Sequence, residues 1–396
     1  MSKIPLTIIL LVSLLFGKLY ELPIAGKTFV LFYTDIAILG ALAITAIRGR
    51  WVVPVSTSLM LWLSFILWAS LSIFWAADPL RAAMNAAYLF RAILTLLLSF
   101  NDLRWQLDSW RSLTWTLRLF SGILCLQIIT SFIQGANELN WQLSFYGLKP
   151  FIVTPLGGSN YLAIFLEFAI VYELIVKPRL WFILFFLYCF SLVITLSRGA
   201  FAALVIGILF VFLFLLVKGG PNRIKSILNM IFLMFTVVFI ISRTTIGNII
   251  FQSFKIVGHT EEVRLNLWGA GLEVWSKTPI IGVGFGNYIN YVGMRDAHNT
   301  IIEVLVETGL IGIILFLLFF LSLFYYIINL IKKTTQEEQK RLLRAILIGL
   351  ITTTVHSFVE PFFLSGSSLT WLSIIMSYVY VVSTTCNRKP NQKGIP

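Results

Sequence analysis

A chain of 396 residues with 58% hydrophobic and 12% charged residues is excluded from the soluble multidomain class that its length alone would suggest. At about 20 residues per crossing, the apolar content fills roughly a dozen spanning helices, so the fold class read from composition is all-α and polytopic. The formal charge of +13 comes from 30 Lys and Arg scattered among apolar segments, not from the single basic patch of a nucleic-acid binder, and Cys125, Cys189 and Cys386 fall in or just after apolar runs, which excludes a disulfide-stapled exported domain.

Taken in chain order, apolar runs of spanning length lie near 4–20, 28–47, 52–76, 82–100, 112–133, 160–176, 180–197, 199–217, 226–243, 300–331, 342–360 and 366–385. The first resembles a signal peptide, with Lys3 before an apolar stretch, but "GKLYELPIAGK" offers no small-residue cleavage site and the run reads as an uncleaved helix. With a cytoplasmic amino terminus, and leaving aside Arg91 and Arg118 in or near spans, 18 Lys and Arg fall on the cytoplasmic side and 10 outside. That asymmetry predicts both termini inside. Residues 1–396 then form one integral membrane domain, with outer loops at 134–159 and 244–299 and a short polar cytoplasmic tail at 386–396.

The longer outer loop contains "EEVRLNLWGAGLEVWSKTP", where Leu265, Trp268, Leu272 and Trp275 recur at three- and four-residue spacing. This predicts an amphipathic helix, lying at the membrane interface or packed on the tops of the spans. Either places Arg264 near the membrane surface. "GVGFGN" at 282–287 has no strand or βαβ unit around it and reads as a flexible re-entrant or loop segment. In "RDAHNTIIEVLVETGLIG", Asp296 is a candidate cap for a helix whose first turn holds His298 and Asn299. Imidazole, amide and backbone N–H groups would converge there, and such a helix start favours an anion. Arg198, in "TLSRGAF", turns between two apolar runs on the same predicted face; for it and for Arg264, snorkelling to headgroups is the alternative.

Within spans, Arg91, Arg118, Glu167, Glu173, Glu303 and Glu307 are costly unless paired or wetted, and read as helix-locking or cavity-lining groups. Glu303 and Glu307 stand four apart, one turn below Asn299, and are candidates to line a substrate cavity; Asn299 and Glu303 are candidate substrate-binding residues. His356 and Glu360 share a helix face near the end of the eleventh span and read as polar partners. Glu261, Glu262, Glu273 and Asp296 include no closely spaced Asp pair, and there is no Walker motif, so neither a metal nor a cofactor is expected.

His298, Asn299, the nine residues Thr300 to Thr308, Gly309, two residues and Gly312 resemble the signature of the O-antigen ligase superfamily. "SRGAF" and "RLNLWGAGLEVWSKTPIIGVGFGNY" look like the same family, so the likeness covers about 190–320 in detail. The resemblance implies a GT-C-type glycosyltransferase of a bacterial inner membrane, taking a glycan from a polyprenyl (undecaprenyl) diphosphate carrier on the periplasmic face. It implies that Arg198 and Arg264 hold the diphosphate as catalytic and donor-binding residues, and that His298 serves the acceptor or the diphosphate. Direct displacement inverts the anomeric centre. The acceptor distinguishes a ligase, which loads lipid A core in lipopolysaccharide synthesis, from a polymerase, which extends a lipid-linked polysaccharide. From another class, a secondary transporter would place its polar groups at mid-membrane.

Overall fold

The computed structural model describes residues 5–24, 27–49, 51–106, 109–177, 179–218, 242–255, 259–293 and 296–386, with 228–229, 232–233, 235–236 and 239 between them. Among these, six helices are long and apolar enough to cross a membrane: Thr57–Phe74, Pro79–Leu103, Ser109–Glu138, Ser159–Val176, Thr300–Lys333 and Gly366–Thr384. Each coincides with an apolar run read from the sequence. Shorter apolar helices occupy Leu6–Phe16, Tyr33–Ile47, Trp181–Ile194 and Arg198–Phe214. The chain is thus an all-α, multi-pass membrane protein. Most of the expected span at 226–243, and the tail beyond Cys386, lie outside the described residues.

Among the described residues two segments depart from helix into strand pairing, a short antiparallel pair of Val153–Thr154 with Gly157–Gly158 and a longer one near the amino terminus. β1 (Lys18–Ile24) and β2 (Lys27–Phe32) form an antiparallel pair in which Glu21 faces Val30, where a helix was expected from residue 28. Thr28, Phe29, Val30 and Phe32 are β-branched or aromatic and fit a strand better than a helix. The helix begins only at Tyr33, where the Asp35 carboxylate accepts the Phe32 N–H at 2.8 Å.

The chain divides into two units. The first comprises Met1–Thr116, Glu261–Leu343 and Ser357–Pro396. In it, α3 (Thr57–Leu71) starts at Ser56, whose hydroxyl accepts the Leu59 N–H at 3.1 Å, and α4 (Pro79–Leu103) starts at Asp78, which accepts from Arg81 N–H at 3.0 Å with Pro79 in the first turn. The long helix Thr300–Lys333 packs on α3 through aromatic rings, Trp62 on Phe319 at 4.6 Å and Phe65 on Phe316 at 5.3 Å, while Gly366–Cys386 packs on α4. The other face of Thr300–Lys333 carries Leu310, Ile314, Leu317, Leu321 and Tyr325, all exposed, at the spacing of a lipid-facing stripe.

The second unit comprises Leu117–Thr260 and Arg344–His356. Ser159–Val176 is its central helix, packed by Trp181–Ile194 and Arg198–Lys218. Two charges on that helix, read from the sequence as needing partners, have them. Glu173 takes Arg118 Nε and Nη2 at 2.8 Å each, and Glu167 meets His356 Nδ1 at 2.6 Å. Both pairs are buried, and each ties its two helices together, Arg118 with Glu173 as a buried ion pair whose charges would be costly alone.

Candidate functional site

The helix Thr300–Lys333 is broken at Gly309, where φ 66 and ψ −168 leave the helical region. Those angles are open in practice to glycine alone. A break releases N–H and C=O groups that apolar surroundings cannot satisfy, and protein groups meet them. Trp68 Nε1 donates to Thr308 O at 2.8 Å, Leu310 N–H to Pro279 O at 2.9 Å, and Ile311 N–H to Ile280 O at 3.3 Å. A Cβ at Gly309 would overlap Ile280 O, and one at Gly312 would overlap Thr308 Oγ1 and stand 3.2 Å from Trp68.

The segment at 282–287, expected to be flexible, is instead pinned into the break. Val283 N–H donates to Val306 O at 3.0 Å and Gly284 N–H to Glu307 O at 2.9 Å; the Glu307 carboxylate accepts Gly286 N–H at 2.8 Å and Tyr288 N–H at 3.0 Å. From the α3–α4 side, Ser72 Oγ accepts Phe285 N–H at 2.8 Å and Arg81 Nε donates to Gly286 O at 2.6 Å. The glycines allow close approach: a Cβ at Gly284 would overlap Ala76, and one at Gly286 would overlap the Asn85 amide. This is packing, not a phosphate cradle, and it makes Glu307 a structural carboxylate.

At the other end of the broken piece, the cap is Asn299 and not Asp296. Asn299 Oδ1 accepts the N–H of Ile301 at 2.9 Å and of Ile302 at 3.1 Å. His298, at φ 48, is left-handed, so the chain turns sharply there and no helix can start earlier. Thr300 N–H donates to Ser357 O at 2.9 Å and Glu303 N–H to Asn299 O at 3.0 Å. The helix start expected to offer its N–H groups to an anion therefore has them engaged by protein. Glu303 Oε2 accepts Ala297 N–H at 3.0 Å and Trp268 Nε1 donates to Ala297 O at 2.8 Å. Both faces of the Ala297 residue are held, which fixes the imidazole that follows it.

What the turn does assemble is His298, Arg264 and Glu360. His298 Nδ1 stands 3.3 Å from Glu360 Oε2, and Arg264 Nη2 stands 3.2 Å from Glu360 Oε1. The Glu360 side chain is 2% exposed, against 27% for His298 and 21% for Arg264. Asp296 Oδ1 lies 3.4 Å from the same Nδ1. The hydrogen bond to Glu360 raises His298 above the ordinary histidine range; burial opposes this, the charges of Glu360 and Asp296 add to it, and Arg264 opposes it. The expected pairing of His356 with Glu360 is not made, because the helix Glu337–His356 ends before Glu360, and His356 pairs with Glu167 instead. Glu360 was therefore read from the sequence as a structural partner of His356 and not as a partner of His298; the available signal was a carboxylate at the end of a span, which needs a partner from somewhere.

Arg264 is placed by the helix His259–Lys277, which packs through Leu267, Trp268, Gly271, Val274 and Trp275 and leaves Leu265 and Leu272 exposed. Tyr288 OH donates to Leu267 O at 2.6 Å and ties this helix to the pinned segment. Two other arginines lie in the stretch 244–299 or beside it: Arg243 lies 5.1 Å from the Phe239 ring, and Arg295 is outside the described residues.

Arg198 belongs to the second unit and opens the helix Arg198–Lys218, with Ser197 Oγ accepting Ala200 N–H at 3.4 Å. Its guanidinium lies 5.7 Å from the Phe145 ring centroid, and Lys149 Nζ lies 5.1 Å from the same ring. Two cations approach one aromatic ring. Among the described residues no group of His, Cys, Asp and Glu is arranged to hold a metal ion.

A family model described as O-antigen ligase matches residues 183–317. The "Exopolysaccharide production protein ExoQ" of Rhizobium meliloti (strain 1021) is 40% identical over a stretch that takes in 13% of this chain and 16% of that protein. This chain thus covers well under two thirds of that relative's length. The family match contains Arg198, Arg264, His298, Asn299, Gly309 and Gly312, and the family likeness of this chain is to the O-antigen ligase superfamily.

Proposed function

We propose that the chain is a metal-independent, inverting glycosyltransferase that moves a glycan from a polyprenyl diphosphate carrier to an acceptor hydroxyl. The observation that carries this is an imidazole held by a buried carboxylate that also holds a guanidinium, within the segment matched by the O-antigen ligase family. The acceptor O–H proton passes to His298, the acceptor oxygen bonds to the anomeric carbon, and the carbon–phosphate oxygen bond breaks. Arg264 and Arg198 take up the charge growing on the departing diphosphate through bidentate contacts. The diphosphate is already a competent leaving group, so charge neutralisation and one base suffice. Asn299 and Glu303 support the site as the cap and the brace of the His298 turn, and a contact to substrate is proposed for each.

The finer reading is a GT-C-type protein of about twelve spans in a bacterial inner membrane, with both termini cytoplasmic and the site on the periplasmic face. The first acceptor proposed is lipid A core, which makes the protein a ligase. A polymerase, extending a lipid-linked glycan, is the second reading, favoured by the likeness to an exopolysaccharide production protein. The test is turnover of a polyprenyl diphosphate glycan by the purified protein. Free polyprenyl diphosphate should form, with a loss of about 10²–10⁴-fold in His298→Ala, the typical worth of a positioned base. Arg198→Ala and Arg264→Ala should weaken donor use. Full activity in His298→Ala would remove the assignment. Cells lacking the protein separate the readings: long carrier-linked chains accumulate without a ligase, single repeat units without a polymerase.

A further inference from the structure

We propose that Glu360 is the positioning residue of this site: it fixes the tautomer and direction of the His298 ring by accepting from Nδ1, and with its second oxygen it aims Arg264. The inference rests on the reading of His298 as the proton acceptor and assigns the group that makes it one.

The geometry has three parts. Each carboxylate oxygen has its own partner, His298 Nδ1 at 3.3 Å and Arg264 Nη2 at 3.2 Å, so one rigid group sets the separation of imidazole and guanidinium. The carboxylate cannot wander. Thr300 Oγ1 donates to the Glu360 carbonyl at 3.0 Å and Thr300 N–H to Ser357 O at 2.9 Å, which fastens the segment carrying Glu360 to the residue two places after His298. Finally, Glu360 is the most enclosed of the charged groups facing the ring. Asp296 also faces Nδ1, at 3.4 Å, but its side chain is 37% exposed where Glu360 is 2% exposed, and it is Glu360 that holds Arg264 as well. Among the described residues, the remaining charge facing the ring is Arg264.

A neutral imidazole carries one N–H. A carboxylate on Nδ1 draws that proton there and leaves Nε2 with its lone pair, which is the form that can accept a proton from an alcohol. A pairing of this kind also stabilises the imidazolium formed in the step. Without Glu360, Nδ1 would be left with the more distant Asp296 carboxylate, and Arg264 would lose the carboxylate it meets.

The chain has three histidines, so ¹⁵N-histidine NMR of the full-length protein in detergent is tractable, with His298→Ala identifying the resonance. In the unsubstituted protein the neutral form of His298 should carry its proton on Nδ1. In Glu360→Gln its titration midpoint should move to lower pH, and the acid limb of the turnover–pH profile should move with it, with turnover at the optimum down at least tenfold. Glu360→Asp should recover part of the midpoint shift. A neutral His298 protonated on Nε2 in the unsubstituted protein would overturn the proposal whether or not any variant folds, and so would a midpoint unmoved by Glu360→Gln. Should His298→Ala keep full turnover while the tautomer and midpoint behave as stated, the functional reading fails and the positioning contact stands.

Discussion

Gly309→Ala isolates the break in the long helix. At φ 66 and ψ −168 an alanine sits in a region that costs about 1–3 kcal/mol for a residue with a Cβ. The added methyl would also overlap Ile280 O, a backbone atom held in place because it accepts the Ile311 N–H at 3.3 Å. Overpacking of that kind costs about 1–3 kcal/mol more, so the expected loss is about 2–6 kcal/mol. Gly269→Ala is the control. It lies within His259–Lys277, with nothing within 4 Å of the added Cβ, and should stabilise by about 0.5–1 kcal/mol. The 12 tryptophans give an intrinsic-fluorescence unfolding signal on heating the detergent-solubilised protein. Gly309→Ala should melt well below the unsubstituted chain and lose glycan transfer, because the pinned segment 282–287 and the His298 turn stand on the same nine-residue piece. If the two alanine variants melt together, the break is not what orders this region.

In the second unit, Glu173→Leu strands the Arg118 guanidinium and should destabilise by about 3–5 kcal/mol, whereas Arg118→Met with Glu173→Leu should recover most of it; a double variant as unstable as the single would show that the pair is not the lock. Because His298 is raised, the stability contributed by its contact with Glu360 is complete below the unfolded histidine value of about 6.5 and is lost as pH rises through the folded value. The gap in melting temperature between the unsubstituted chain and His298→Ala should therefore narrow with rising pH, and turnover, which needs the neutral imidazole, should climb over the same interval; a gap that widens would reverse the sign. Lys149→Ala should raise KM for the carrier-linked donor about tenfold with kcat little changed, the worth of roughly 1.5 kcal/mol for a charged hydrogen bond to phosphate; an unchanged KM would leave Lys149 a structural residue, held against Phe145 and the Leu196 carbonyl.

The spans were legible because a run of about 20 apolar residues has few alternatives, and among the described residues six of the twelve expected runs reappear as helices of crossing length. The hairpin at 18–32 was not, since six or seven strand residues between two apolar helices carry too weak a period to separate from them. The break at Gly309 was hidden for a different reason: a glycine in an apolar helix is tolerated, and only the neighbouring segment at 279–287, docked from outside, makes this one a break. Arg264 could be singled out by its helix, but its partner could not, because Glu360 lies 96 residues away and no local pattern joins the two. The charges buried within spans announced that partners must exist and left open which; Arg118 with Glu173 and His356 with Glu167 are the answer for the second unit.

The spacing of the histidine and the two glycines has a mechanical meaning. Thr300 to Thr308 is a helical piece of about 14 Å at 1.5 Å per residue, held differently at its two ends. Below, Gly309 and Glu307 clamp it to the segment 282–287, which is in turn fixed by Ser72 and Arg81. Above, Ser357 and Glu360 hold Thr300 through backbone and hydroxyl. With both ends anchored, adding or removing one residue would turn the upper end by about 100° and carry the imidazole away from the carboxylate that sets its proton. The number of residues between Asn299 and Gly309 is therefore a length and an angle at once, and it is through the clamp at the lower end that glycines far from any substrate come to govern where His298 points.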